Sequence, residues 1–304
     1  MNGRGASPRS PDGGTLAPVF AALGDSLTEG IGDPVPGGAW RGWAQLLAEA
    51  LPGVVFAKLA RSGALSADVA HRQLPEALRL RPCVASVVVG GNDTLRASFD
   101  IHCVVSALDL TLGALHAQGA TVLTACLPDP GRVLGLPWPL ARPLARRMDA
   151  VNTAVHELSA RYRTRHVHLA GHPQLTDRRH WSVDRLHPSE RGHRLIARDF
   201  HTGLAGTGLP LGPPPAPEPA SPPPTRADSA RWMAVQGTRW IADRCTDLLP
   251  GLLGLAVSEG RHRLLRTGAT LDERARDATR IALVYGTAAA ADRAPAPVTA
   301  TMAG

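Results

Sequence analysis

Between residues 18 and 204 the chain alternates short apolar runs with longer amphipathic stretches. Residues 18–23 read as a strand, followed by a turn at Gly24-Asp25-Ser26. Residues 40–51 read as a helix ended by Pro52-Gly53, and residues 54–59 as a second strand. Ser66 can cap a helix that runs to about Leu80 and stops before Pro82. Residues 84–89 are rich in valine and show no polar alternation, the signature of a strand covered on both faces. Ile101, Val104, Val105, Leu108, Leu112 and Leu115 recur at helical spacing, and Gly119 suits the C-terminal cap. Residues 121–125 give a fourth strand. Met148, Val151, Val155 and Leu158 mark another helix, and residues 166–169 a fifth strand. A last helix runs from Pro188 to about residue 200, with proline in its first turn. This alternation predicts an α/β fold: a five-stranded parallel sheet with helices on both faces. In such sheets ligands sit beyond the carboxyl ends of the strands.

The pattern divides the chain. Residues 1–17 are polar and rich in Gly and Pro, and are expected to be disordered; residues 18–206 form the α/β domain. Residues 207–227 are expected to be a semi-rigid linker, with a proline at every second or third position from Gly212 to Pro224. Residues 228–287 read as helical, with breaks near Pro250-Gly251 and Gly268, and residues 288–304 as a disordered tail. In the helical segment Trp232, Val235, Trp240, Ile241, Leu248, Leu249, Leu252 and Leu253 can form an apolar face. It fits a small helical unit packing on itself or on the α/β domain. The sharper alternative is an interfacial helix or acyl-binding lid that makes peripheral contact with lipid.

Composition narrows the function classes. Of 304 residues, 44% are hydrophobic and 19% charged, as in globular proteins. The net charge of +7 is carried almost wholly by arginine, since Lys58 is the only lysine. The arginines are dispersed, so no nucleic-acid partner is expected. Cys83, Cys103, Cys126 and Cys245 are widely spaced and lack a CxxC pair, which fits free thiols in a reducing compartment. Residues 1–17 lack the apolar core of a secretory signal, and residues 248–257 are too short to cross a bilayer. A cytoplasmic location is therefore expected. Oligomeric state is not readable.

Four blocks carry candidate chemistry. In Gly24-Asp25-Ser26-Leu27 the serine falls just after the first strand, at a helix start whose N–H groups and positive potential suit a developing oxyanion; a plain helix cap is the bland alternative. Asp184-Arg185-Leu186-His187 precedes the last helix. A serine hydroxyl needs a general base, and the base needs a partner that fixes its tautomer. A spacing of three puts Asp184 and His187 on one side of a turn, so both can aim at Ser26. Gly91-Asn92-Asp93 follows the third strand and offers an amide donor, and Gly63 follows the second and offers a backbone N–H. Asp93 is expected to fix its loop by hydrogen bonding.

Jointly these blocks resemble the SGNH hydrolase family, the GDSL esterases and lipases, over residues 18–204. The resemblance implies a three-layer α/β/α sandwich of the flavodoxin-like type. It implies Ser26 as nucleophile, His187 as base and Asp184 as its orienter, with Ser26, Gly63 and Asn92 as the oxyanion hole. The activity implied is cleavage of a small-molecule or lipid carboxylic ester through an acyl-enzyme, with no cofactor and no metal. Lysophospholipase, thioesterase or sugar O-acetylesterase activity belongs to the same class, as does acyl transfer to another alcohol. A non-catalytic binding module on the same fold is the alternative from another class.

Other features carry less. Ala256-Val257-Ser258-Glu259-Gly260 resembles a nucleophile elbow but lacks the first glycine and a preceding strand. His166, His168, His172 and His180 suggest metal ligation, yet no cysteine or carboxylate nearby in sequence completes a set, so no metal site is expected. Residues 128–143 are expected to wall the site, with Trp138 in a flap or as a surface anchor, and Trp181 either lines the pocket or serves packing alone.

Overall fold

A computed structural model of the chain describes residues 17–220 and 249–291. Five parallel strands form one sheet: β1 Val19–Gly24, β2 Val55–Lys58, β3 Val84–Val88, β4 Thr121–Cys126 and β5 Arg165–His168. Their order is β2-β1-β3-β4-β5, so the sheet winds outward in both directions from β1 and β3. This is the architecture the alternation predicts. β3 is buried along its whole length, as its unbroken apolar run requires, and Phe20, Ala21, Ala22 and Leu23 of β1 are fully buried.

Helices cover both faces. On one lie α2 (Gly42–Glu49) and α9 (Glu190–Gly203), joined by the stacked rings of Trp43 and Phe200, 4.5 Å apart. The N-terminal helix α1 (Ser26–Glu29) is a single turn. On the other face lie α3 (Ser66–Asp68), α4 (Leu74–Leu80), α6 (Ile101–Ala117) and α8 (Trp138–Arg161); α5 (Gly91–Thr94) and α7 (Pro130–Val133) are short turns beyond the sheet. α3 and α4 are continuous through a π-helical stretch, Val69–Gln73. α6 closes as expected at Gly119, where Ala120 N donates to Leu115 O and Gly119 N to His116 O, the paired bonds of a Schellman cap.

Two boundaries differ from expectation. α8 begins at Trp138, ten residues before the apolar repeat starts; Pro139 is tolerated in its first turn, and Pro143 forfeits one backbone bond inside it. Pro188 lies outside α9, whose cap is Ser189, with Oγ accepting from Gly192 N at 3.4 Å. Beyond the proline-rich stretch two helices follow, which we number α10 (Leu249–Leu264) and α11 (Gly268–Ala291); Pro250 and Gly251 lie in α10, and the residues before Leu249 lie outside the described ones.

α10 and α11 pack on the α/β layer rather than on each other alone, α10 against α8 and α11 against α6 and α8. Arg146 of α8 joins them, 2.9 Å from Glu259 and 2.7 Å from Asp272. The apolar positions Trp232, Val235, Trp240, Ile241 and Leu248, on which the interfacial reading leans, lie outside the described residues, as do Cys245, residues 1–16 and residues 292–304. Among the described residues no helix is long and apolar enough to cross a membrane.

The described part of the proline-rich stretch is not a free spacer. It lies along α9: Arg194 donates to Ala216 O at 3.1 Å, Arg198 to Pro215 O at 2.8 Å, and Ala220 N to Glu190 Oε1 at 2.8 Å.

Candidate active site

Ser26 follows β1, Gly63 follows β2, Asn92 follows β3, and His187 precedes α9, so four loops meet at the carboxyl edge of the sheet. β1 and β3 are neighbours at the point where the winding reverses, the place where such sheets open a crevice. The crevice here is lined by Ser26, Asn92 and His187 together with apolar side chains, among them Leu27, Leu127, Val133, Met148 and Trp181.

His187 lies between Ser26 and Asp184. Its Nε2 is 2.8 Å from Ser26 Oγ and its Nδ1 2.6 Å from Asp184 Oδ2. A carboxylate accepts and never donates, so the Nδ1 proton points at Asp184 and the Nε2 lone pair at the serine hydroxyl. Asp184 is saturated as an acceptor: Oδ1 takes Ser182 Oγ–H at 2.6 Å, Leu186 N–H at 2.9 Å and His187 N–H at 3.0 Å. Burial alone would raise its pKa, but the hydrogen bonds and charge of His187 and the Ser182 hydroxyl outweigh that and hold it at about 2.

The candidate donors for an oxyanion lie on three loops. Ser26 is the first residue of α1, after the cap Asp25, whose Oδ1 accepts from Leu27 N at 3.0 Å. Since α1 is one turn long, its contribution is local N–H groups rather than the helix field that the sequence suggested. Asn92 Nδ2 donates to Ala64 O at 3.1 Å and makes a long contact of 3.4 Å to Asp25 Oδ2, which leaves its second hydrogen weakly held. Gly63 does not line the crevice directly. It sits in a turn closed by Ala64 N donating to Arg61 O, with the φ of +78° that a type II turn demands of its third residue. The Ala64 carbonyl ties that turn to Asn92. Asp93 fixes the same junction, accepting from Ser66 Oγ at 2.7 Å and Ser66 N at 3.1 Å.

Several positioning residues gave no signal in the sequence. Gln73, in the π-helical stretch, grips the end of β1: Gly24 N donates to its Oε1 at 2.8 Å, and its Nε2 donates to Gly24 O at 2.9 Å. His193 is fully buried. Its Nδ1 accepts from Trp43 N at 3.2 Å and its Nε2 donates to Ile31 O at 2.9 Å, while burial lowers its pKa to about 4 and keeps the ring neutral. Asp33 holds Arg41 at 2.9 Å, and Arg41 reaches Glu190 of α9 at 2.8 Å. The contacts of Gln73, of His193 and of Arg41 with Glu190 each join residues far apart in the chain, which no local pattern records. Burial raises the pKa of Asp25, beside Ser26, to about 6, the largest of several influences on it.

Pro128, Pro130 and Val133 form one wall, as expected of that stretch, and Trp181 lines the crevice with its Nε1 donating to Leu175 O at 2.8 Å. Trp138 does not line it; the guanidinium of Arg263 covers its ring at 4.4 Å. Ser258 lies inside α10, so the elbow-like motif there is ordinary helix.

A model of the GDSL-like lipase/acylhydrolase family matches residues 22–195. The chain belongs to this family. The match spans every block named above and ends within α9. Comparison with curated proteins gives no match. Among solved structures, a lipase/acylhydrolase from Enterococcus faecalis aligns at 18% identity and a TM-score of 0.52, covering 64% of this chain and 99% of that one. A variant of an acetyl-xylooligosaccharide esterase from Geobacillus stearmophilus aligns at 18% identity and a TM-score of 0.52, covering 64% and 96%. Identities this low establish the shared GDSL hydrolase fold.

Proposed function

We propose that this GDSL hydrolase cleaves carboxylic esters, with Ser26 as nucleophile, His187 as general base and Asp184 as the group that orients the base. The observation that carries the reading is the unbroken relay Ser26 Oγ–His187–Asp184, at 2.8 Å and 2.6 Å, opening on an apolar crevice. In acylation Ser26 Oγ attacks the ester carbonyl carbon as its proton passes to His187 Nε2. The carbonyl oxygen becomes an anion and is received by the N–H groups of Ser26 and Gly63 and the Asn92 amide. His187, now a cation facing the Asp184 carboxylate, gives its proton to the leaving alcohol as the C–O bond breaks. Water repeats the sequence on the acyl-serine: its proton goes to Nε2, the acid departs, and Ser26 Oγ regains the proton.

The crevice walls support an aliphatic acyl group of short to medium length. A non-catalytic binding module would have no use for a saturated carboxylate aligned on an imidazole and a hydroxyl.

Turnover across p-nitrophenyl esters of increasing chain length tests the reading. Activity is expected to be lost in Ser26→Ala while the far-ultraviolet spectrum is kept, and a fluorophosphonate should label the wild type at Ser26 alone. Undiminished ester cleavage by purified Ser26→Ala would refute it.

A further inference from the structure

We propose that Cys126, His156, His166 and His168 form a zinc site, independent of the ester-cleaving machinery. None of the four lines the substrate crevice. Their candidate ligand atoms all lie within 4.8 Å of one another. The sequence shows only the two histidines of β5; pairing in the sheet supplies the rest. His166 and His168 share one face of β5, and their register partners on β4 are Thr124 and Cys126. α8 crosses the same face and brings His156, one turn beyond Asn152, whose amide is locked to both Leu127 N and Leu127 O at 2.8 Å.

The geometry suits tetrahedral coordination. Zn–N distances of about 2.0 Å and a Zn–S distance of about 2.3 Å place neighbouring ligand atoms about 3.3–3.6 Å apart. Cys126 Sγ is already 3.9 Å from His168 Nδ1, and the three imidazole rings are packed 4.7–5.2 Å centre to centre. Side-chain rotations of about 1 Å at the tips close the set.

A second, independent observation points to a ligand. His166 Nε2 is buried and has no hydrogen-bond partner, while Nδ1 of the same ring lies 3.0 Å from Thr124 Oγ1. A metal-bound imidazole is held in that way: one nitrogen is fixed by a hydroxyl or carboxylate, and the other is left bare for the ion. A buried unpaired ring nitrogen otherwise costs stability with no return. The donor set, one thiolate and three imidazoles, favours zinc over hard cations. Binding displaces the Cys126 thiol proton to solvent and involves no redox change.

The site's place gives it a structural consequence. Cys126 directly precedes Leu127, and His168 directly precedes Leu169, and both leucines line the substrate crevice. A bound ion would pin the ends of β4 and β5 to α8 directly behind that wall.

The test uses the full chain after chelator treatment, titrated with zinc by calorimetry and with cobalt by absorption. One zinc per chain is expected, with a raised thermal midpoint and a thiolate-to-cobalt charge-transfer band. Changing a residue that merely supports a ligand costs 10–100-fold in affinity, so His166→Gln and His168→Gln should each weaken binding about a hundredfold or more. Cys126→Ser should abolish the charge-transfer band. His168 is exposed, so its variant keeps the question decidable if Cys126→Ser fails to fold. His102→Gln, on the surface of α6, should bind as the wild type does. Failure to bind one equivalent, or equal affinity in wild type and His168→Gln, would overturn the proposal.

Discussion

Replacing Asp184 with asparagine exchanges one oxygen for an NH2 group and tests the relay directly. Four hydrogens converge on this carboxylate, three on Oδ1 and one on Oδ2. An amide can keep its oxygen toward the three donors of the turn, since reversing it would face NH2 against two backbone N–H groups and a hydroxyl. The NH2 then meets His187 Nδ1, which must accept rather than donate. The ring takes its other tautomer, and Nε2 presents a hydrogen to Ser26 Oγ instead of a lone pair. The serine loses its base while every heavy atom stays within a few tenths of an ångström. In serine proteases this tautomer reversal costs about ten-thousandfold in kcat, close to 5.5 kcal/mol on the barrier. Asp184→Asn should therefore lose about that factor in kcat on a p-nitrophenyl ester, with KM little changed and a thermal midpoint near that of the wild type. Because the Asp184 pKa is held at about 2, its carboxylate stays ionised in any workable assay, and the deficit should be constant from pH 5 to pH 8. A loss smaller than tenfold, or one that vanishes at either end of that range, would refute the assignment of Asp184 as orienter.

Three further outcomes follow from distances given above. Asn92→Ala removes the amide donor and should lower kcat about a hundredfold to a thousandfold, measured against wild type at saturating ester; a change under threefold would remove Asn92 from the oxyanion hole. Gln73→Leu keeps the packing but strands Gly24 N in the interior, while Gly24 O retains Arg61 N as a donor; urea unfolding should show a loss of about 1–3 kcal/mol, and an unchanged midpoint would mean the bond contributes nothing. Asp25→Asn tests the raised carboxyl. The folded protein binds the Asp25 proton more tightly than the unfolded chain, so its destabilising effect grows as pH rises from 3.8 to about 6 and is complete above that, at about 3 kcal/mol or less. Asparagine carries no such penalty and can still accept from Leu27 N, so the variant should gain on the wild type between pH 4 and pH 7; a gap that does not widen with pH contradicts the burial argument.

The centre of the sheet was legible because β1, β3 and β4 are compact, largely apolar runs: β3 shows no alternation, and the structure buries it on both faces. The reading stumbled where proline was taken as a stop. Pro139 and Pro143 hid the first ten residues of α8, yet Pro139 occupies its first turn, where a missing N–H is harmless. Ser26, Asn92, Asp184 and His187 could be picked out because each sits in a short block just after a strand or before a helix. Gln73, His193 and the partners of His166 could not. Gln73 acts across 49 residues and His193 across 150, the partners of His166 come through the pairing of β4 with β5, and nothing in the neighbouring sequence marks them.

Proline content misleads once more at the end of the α/β layer. Judged by composition, the catalytic unit would be trimmed near Gly206. The carbonyls of Pro215 and Ala216 and the N–H of Ala220 instead finish the polar pairing of α9, the helix that starts three residues beyond His187. Glu190, at that helix start, also reaches back to Arg41 near the N-terminal end of the fold. A shortened enzyme that stops at Gly206 would lose this selvedge and loosen the ground on which the imidazole stands; the smallest self-sufficient version of the chain extends at least to Ala220.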